Sequence, residues 1–291
     1  SGFLGTRLRE HLTEHGHSVV RLVRGSAAGP DQVRWAPYDG PLAASALDDV
    51  DVVVNLAGAP TVGNPHSARW RHELERSRVV TTRVLAEAIS ASDTTPVFLA
   101  GNGISFYGDR GAVLLDESAP TYGDNLLTRV TRAWQQAASP AIDAGARVVV
   151  LRTSPVLDRR SAPLSLLLPL FKLGLGGPLG SGKQYFPTLS TADWVAAVRH
   201  CAEHDTVSGP VNLTLPTPAT NHDFTKALGA ALHRPTFLKA PAFAIRAGAG
   251  AMAPELLGSV RAVPKKLLDD GFTFAHPDIT SAVAAGLAAG R

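Results

Sequence analysis

Two runs of consecutive valines, Val52-Val53-Val54 and Val148-Val149-Val150, set the tightest limit on how this chain folds. Side chains along a strand alternate between its two faces, so a strand with no polar side must be buried on both. Five apolar pieces of strand length fit this description, at 18–23, 50–55, 96–100, 147–151 and 210–213. Between them lie segments of helical period, at about 3–15, 67–90, 125–144 and 192–204. In the second, Trp70, Leu74, Ser77, Thr81, Val84 or Leu85, and Ala88 fall at three- and four-residue steps, one face of a helix. Apolar strands alternating with helices predict an α/β domain: a doubly wound parallel sheet sandwiched by helices.

The first helical segment follows a glycine turn, Gly2-Phe3-Leu4-Gly5. A GxxG pair is weak evidence alone, but here a helix follows, then the strand 18–23, and Arg24 closes that strand nineteen positions after Gly5. In a Rossmann domain the residue at this place reads the adenosine ribose. An NAD site wants a carboxylate there for the 2′-hydroxyl. Arg21 and Arg24, with no acid in that strand, suit a 2′-phosphate instead, through bidentate charge-assisted bonds. NADP(H) is therefore the expected cofactor, although Arg24 also reads as a solvated charge at a strand end. The fingerprint lacks its leading glycine and the strand before it. Roughly ten residues are expected to precede Ser1 in the native protein, from typical strand and turn lengths.

After roughly Leu151 glycine and proline become denser and strands scarcer. The expected division is a dinucleotide-binding domain over 1–155 and a smaller, mostly helical region over 156–291, with 210–213 free to return to the sheet. The net charge is only +3 and the arginines are scattered, which argues against a nucleic-acid or anionic-membrane partner. No apolar run approaches the length of a membrane span, so a cytoplasmic protein is expected. The single cysteine, Cys201, excludes an intrachain disulfide and a thiolate metal cluster, and the histidines show no HExxH-like spacing. No metal site is expected. The stretch Gly177 to Gln184 nearly matches a phosphate loop, but Gln184 lacks the metal-binding hydroxyl and Tyr185-Phe186-Pro187 does not start a helix. It reads instead as a loop beside a substrate cleft, with Lys183 and Gln184 as candidate contacts. Ser190 and Asp193 read as a variant capping box.

The opening SGFLG and the segment Asn55-Leu56-Ala57-Gly58 after a buried strand resemble the extended short-chain dehydrogenase/reductases. The resemblance is nearest to their atypical epimerase-family branch, which carries a C-terminal extension of unknown role, here about 234–291. Ser77-Arg78, Tyr107-Gly108, Trp134, Leu151-Arg152-Thr153, the run 173–182, and Lys266-Leu267-Leu268 with Gly271-Phe272 carry it nearly end to end. It implies a Rossmann core binding NADP(H), with contacts from Gly2, Phe3, Leu4, Gly5, Arg24, Asn55, Leu56, Ala57 and Gly58. Ala100, Thr153 and Ser154 would lie along the nicotinamide half.

The wider superfamily moves protons with a Tyr-x-x-x-Lys helix and a Ser or Thr. Aligned on Trp134, those places hold Leu127 and Thr131, and the serine of the branch falls at Asn102. Neither leucine nor threonine can supply the chemistry. Asn102 retains a hydrogen bond for a substrate carbonyl, and Tyr107 lies just past its strand, either facing substrate or packed beneath the loop. No catalytic residue is assigned. Two functions follow: an NADP-dependent oxidoreductase or epimerase of atypical mechanism on a small polar or sugar-like substrate, or a non-catalytic NADP(H)-dependent sensor or scaffold for a protein partner. A monomer or homodimer is expected in either case.

Overall fold

The structure is a computed structural model that describes residues 2–290; Ser1, at the edge of the glycine turn, and Arg291 lie outside them. In chain order the elements are α1 (Phe3–Glu14), β1 (Arg21–Val23), β2 (Gln32–Arg34), β3 (Val52–Asn55), α2 (Ala68–Ser90), β4 (Val97–Gly103) and β5 (Leu114–Leu115). Then follow α3 (Leu126–Gln136), α4 (Ser139–Asp143), β6 (Val148–Thr153), β7 (Val156–Leu157), α5 (Leu164–Lys172), β8 (Leu189–Ser190), α6 (Thr191–Glu203) and β9 (Gly209–Leu213). The chain ends with α7 (Asn221–Leu232), α8 (Ala242–Ala249), α9 (Ala253–Leu257), β10 (Arg261–Ala262), α10 (Lys265–Asp269) and α11 (Ile279–Ala288).

The main sheet is parallel, in the order β3-β4-β6-β9. Its strands are buried on both faces, as their composition requires. Val149 and Leu151 of β6 join Leu99, Val211, Trp194 and Val198 in one core, under α1 and α6. Val148 and Val150 point the other way, with Phe98, Ala100, Leu85 and Ile89, under α2 and α4. Each buried valine, leucine, isoleucine or phenylalanine side chain among them contributes about 1.5–3 kcal/mol through removal from water. β1 and β2 pair in a separate parallel sheet.

All five expected strands form, and β9 does return to the main sheet. The expected helix over 125–144 is two helices, α3 and α4, with Pro140 in the first turn of the second. Proline has no N–H for the carbonyl of Gln136, so an unbroken helix would lose a bond there.

The C-terminal segment is fastened to the sheet by buried polar groups. The Glu117 carboxylate accepts from the Asn212 amide at 3.0 Å, and Asn212 donates to the Val263 carbonyl at 2.9 Å. Ser190 caps α6 by accepting from the Asp193 N–H, in line with the capping reading. Asp193 does more than cap: its carboxylate accepts from the backbone of Ala275 at 2.7 Å and His276 at 3.0 Å.

Candidate functional site

In a parallel α/β sheet ligands meet the carboxyl ends of the strands. Here those ends are Asn55 of β3, Gly103 of β4 and Thr153 of β6.

Gly2 caps α1 in an extended conformation with φ −79° and no side-chain cap, and the first turn carries no acid. A methyl group on Gly2 or Gly5 would meet no protein atom within 4 Å, and neither has a positive φ. The protein's own packing therefore does not demand glycine at either place. A helix N-terminus whose first N–H groups have no partner among the described residues suits a diphosphate, which glycine lets approach closely. Arg24 is exposed at the end of β1, whereas Arg21 is paired with Asp31 at 2.7 Å. That ion pair leaves Arg24 as the arginine available to an outside phosphate.

The turn after β3 is held by α2. Asn55 donates to the Thr82 hydroxyl at 2.8 Å and accepts from the Ala57 amide at 3.0 Å, while the Ala59 amide donates to Ser77 at 2.8 Å. Trp134 of α3 donates to the same Thr82 hydroxyl at 2.8 Å, which joins the two helices across the strand ends. Asn55 is thus spent on shaping the turn, and Gly58 is left exposed beside it. Gly101 lets β4 pass beneath this junction: a Cβ there would lie 2.6 Å from the Asn55 carbonyl oxygen and 3.0 Å from the Trp134 ring.

Arg78 was not among the residues expected from the sequence to touch a ligand. It is 9% exposed, donates to the Leu74 carbonyl at 2.8 Å and lies 5.2 Å from the centre of the Trp134 ring. Its guanidinium is so close to Gly58 that a Cβ there would be 3.2 Å away. Among the described residues no carboxylate pairs with it, and burial pulls its pKa down to about 10. A buried cation beside the strand-end turn is a ready partner for an anion. One signal was legible: Arg78 follows Leu74 by four residues, on the apolar face of α2.

Several expected contacts are placed elsewhere by the structure. Ala100 is not at a strand end: β4 runs on to Gly103, and Ala100 is buried in the core between Asn55 and Val150. Asn102 is 4% exposed, with its amide on the Thr131 carbonyl at 3.1 Å and its oxygen on the Gly103 N–H at 2.7 Å. Both ends of its amide are therefore engaged by the backbone, and its burial turns it away from a substrate cleft. Tyr107 is fully buried, and its hydroxyl donates towards Asn212 at 2.8 Å and accepts from Arg152 at 2.8 Å. It is the packed alternative that holds. Gln184 is 8% exposed and donates to the carbonyls of Leu179 and Leu256, while Lys183 is exposed on the same loop. Ser154 is buried and donates to the Leu213 carbonyl at 2.8 Å; Thr153 accepts from Trp194 at 3.3 Å. Leu56 and Ala57 pack against the two faces of the core.

Where a tyrosine would stand, Leu127 packs with Trp70, Ala251 and Met252 around Leu74 and Val130. Thr131 donates to its own helix at the Leu127 carbonyl, 2.8 Å away. The titratable group near the end of β4 comes from α9. The Ser105 hydroxyl, two residues beyond β4, lies 2.6 Å from the Glu255 carboxylate, and both side chains are partly accessible. Burial is the main influence on Glu255 and pushes its pKa up, against the smaller lowering by Ser105.

With this geometry in place, comparison with known proteins gives the lineage. The profile of the NAD dependent epimerase/dehydratase family matches residues 1–213, nearly three quarters of the chain. The chain belongs to that family. A domain of unknown function, DUF1731, matches residues 240–285, within the expected extension. An epimerase family protein of Mycobacterium leprae, ML0860, is 37% identical over 284 residues, covering 97% of this chain and 92% of that protein. The crystal structure of human epimerase family protein SDR39U1 with NADPH superposes with a TM-score of 0.85 at 30% identity, covering 97% of this chain and 95% of that one. A nucleoside-diphosphate sugar epimerase from Corynebacterium glutamicum gives a TM-score of 0.79 at 33% identity, covering 98% of this chain and 56% of that one. The Rossmann-type α/β fold and the epimerase-family resemblance read from the sequence both hold. Among the described residues no helix is long and apolar enough to cross a membrane.

Proposed function

We propose that this chain binds NADP(H) and catalyses an oxidoreductase or epimerase reaction on a small polar or sugar-like substrate, with Glu255 and Ser105 handling the proton. The observation that carries the reading is the 2.6 Å contact between Ser105 and Glu255 at the end of β4. It puts a proton reservoir beside a strand end where Leu127 and Thr131 offer none. The cofactor would be held by the turn Gly2 to Gly5, by Arg24 at the 2′-phosphate, and by Arg78 near residues 55–58. Lys183 remains a candidate substrate contact.

The dinucleotide supplies hydride exchange at the substrate carbon. The protein's part is the substrate oxygen. Protonated Glu255 donates to Ser105 Oγ, which frees the Ser105 proton for that oxygen, so one proton enters the relay as one leaves. Burial raises the carboxyl pKa and keeps it protonated closer to neutrality than an exposed glutamate, the condition for a useful general acid.

Glu255→Gln keeps an acceptor for Ser105 and removes the proton. Turnover of NADPH against a panel of carbonyl compounds and nucleotide sugars is expected to fall more than about tenfold, with NADPH affinity unchanged. The stability effect has a definite sign. A carboxyl whose folded pKa is raised stabilises the fold below its unfolded pKa and loses that contribution as pH rises through the folded value. The variant should therefore gain on the parent as denaturation is moved from acidic to mildly alkaline pH. Equal turnover in both proteins removes Glu255 from the reaction.

The apolar packing of Leu127 favours a second reading, a sensor that binds NADP(H) without consuming it. Tight NADPH binding with no oxidation by any compound in the panel selects it.

Arg24→Ala is expected to weaken NADPH binding about tenfold and leave NADH binding in place, the signature of a lost charge-assisted bond to one phosphate. A parallel loss for both nucleotides, read by nicotinamide fluorescence, contradicts that role.

A further inference from the structure

Two histidines four residues apart near the end of α6 meet an aspartate from the far side of the chain. His200 Nε2 lies 2.7 Å and His204 Nδ1 2.9 Å from the same oxygen of Asp270, Oδ2. The two imidazoles stack with centroids 3.7 Å apart, and Phe272 packs edge-on against His200 at 5.3 Å. The other Asp270 oxygen accepts from the Thr206 hydroxyl. One donor atom from each of the three residues lies within 4.8 Å of the others. We propose that His200, His204 and Asp270 form a binding site for a divalent transition-metal ion, Zn²⁺ by its donor set.

Two imidazole nitrogens and one carboxylate oxygen are borderline donors that suit Zn²⁺ and are poor for Mg²⁺ or Ca²⁺, which want oxygen throughout. His200, in the last turn of α6, and His204, its C-cap, stand at i and i+4, the spacing of helical zinc-binding pairs, which corrects the expectation that no such histidine spacing occurs. The nitrogens and the shared oxygen are now at hydrogen-bond separation. A tetrahedral ion with ligands at about 2.0–2.1 Å needs them about 3.3 Å apart, an opening of roughly half an ångström. His204 is 45% exposed on its side chain and has room to turn, and the same opening admits water as a fourth ligand. Each neutral imidazole frees the required lone pair by carrying its proton on the other ring nitrogen.

The surroundings hold the ligands in place. The Arg147 guanidinium donates to the carbonyls of Cys201, Ala202, His204 and Val207, which fixes the end of α6. Its charge opposes a nearby cation and is offset in part by Asp205 at 3.7 Å. Thr206 orients the carboxylate, as outer hydrogen bonds do for metal ligands.

The cluster lies where α6 ends and the chain enters β9, at the amino ends of the strands, and so opposite the candidate cofactor turns. It joins the epimerase-family segment, which holds both histidines, to the 240–285 segment, which holds Asp270. An ion there would clamp these two parts together and take no part in hydride transfer.

Isothermal titration of the chelator-treated full chain with Zn²⁺, and visible spectra with Co²⁺, test the site. One equivalent of Zn²⁺ per chain, a higher melting temperature with Zn²⁺ than with Mg²⁺, and tetrahedral Co²⁺ bands are expected. His204→Ala, at an accessible position, should weaken Zn²⁺ binding at least about tenfold and remove the bands, as should Asp270→Asn, whereas His17→Ala should not. Absence of stoichiometric binding, or binding that survives His204→Ala, would reduce the cluster to a hydrogen-bonded knot and overturn the proposal.

Discussion

Replacing Asp193 by alanine is expected to lower the unfolding free energy by about 3–5 kcal/mol, measured by urea denaturation. Asp193 is 1% exposed and accepts from the Ser190 hydroxyl at 2.8 Å, the Ala275 N–H at 2.7 Å and the His276 N–H at 3.0 Å. Alanine would remove the acceptor from the buried Ser190 hydroxyl, which keeps only the His276 ring nitrogen at 3.1 Å, and from the part-buried Ala275 and His276 N–H groups. A fully buried unsatisfied donor costs about 1–3 kcal/mol, and these two N–H groups less. The loss falls on a junction, since Ala275 and His276 precede α11 while Asp193 lies in the first turn of α6. Asp193→Asn keeps an acceptor without the charge and should fall between the parent and the alanine variant. A cost under about 1 kcal/mol for alanine would mean that the 275–276 turn finds other partners.

Arg78→Met is expected to weaken NADPH binding by about 100-fold without lowering thermal stability. A charge-assisted bond from a buried guanidinium to a phosphate is worth about 1.5–3 kcal/mol, which corresponds to about 10- to 100-fold in affinity. Without a ligand the same cation is a cost, because burial depresses its pKa to about 10 and no carboxylate of the described residues offsets it. Methionine fills much of the space and removes the charge, so the melting temperature of the ligand-free protein should stay level or rise. The hydrogen bond to Leu74 and the contact with Trp134 would be lost, and these set the limit on any gain. Unchanged NADPH affinity, or an affinity loss accompanied by a collapse in melting temperature, would show that Arg78 serves the fold and not a ligand.

Strand valines without a polar side, helices of clear period and a glycine pair at the start of α1 made the α/β architecture legible in the residues alone. So did the vacated proton-transfer places at Leu127 and Thr131, because chemistry that a side chain lacks can be read without coordinates. The fate of Asn102, Tyr107 and Gln184 was not legible. Each sits near the right strand or loop, but only packing determines whether a polar group faces a cleft or a backbone carbonyl. Tyr107 is claimed by Arg152 and Asn212, residues 45 and 105 positions away.

The amino-acid sequence by itself determined the layered parallel sheet and a helix that opens on a glycine pair, with Arg24 nineteen positions after Gly5. These depend on local period and on the identity of single residues. Tertiary structure alone decided that Glu255 reaches Ser105 across 150 positions and that Asp270 reaches His200 across 70. Such pairs carry no local pattern, because their meeting is set by how the C-terminal helices close over the sheet.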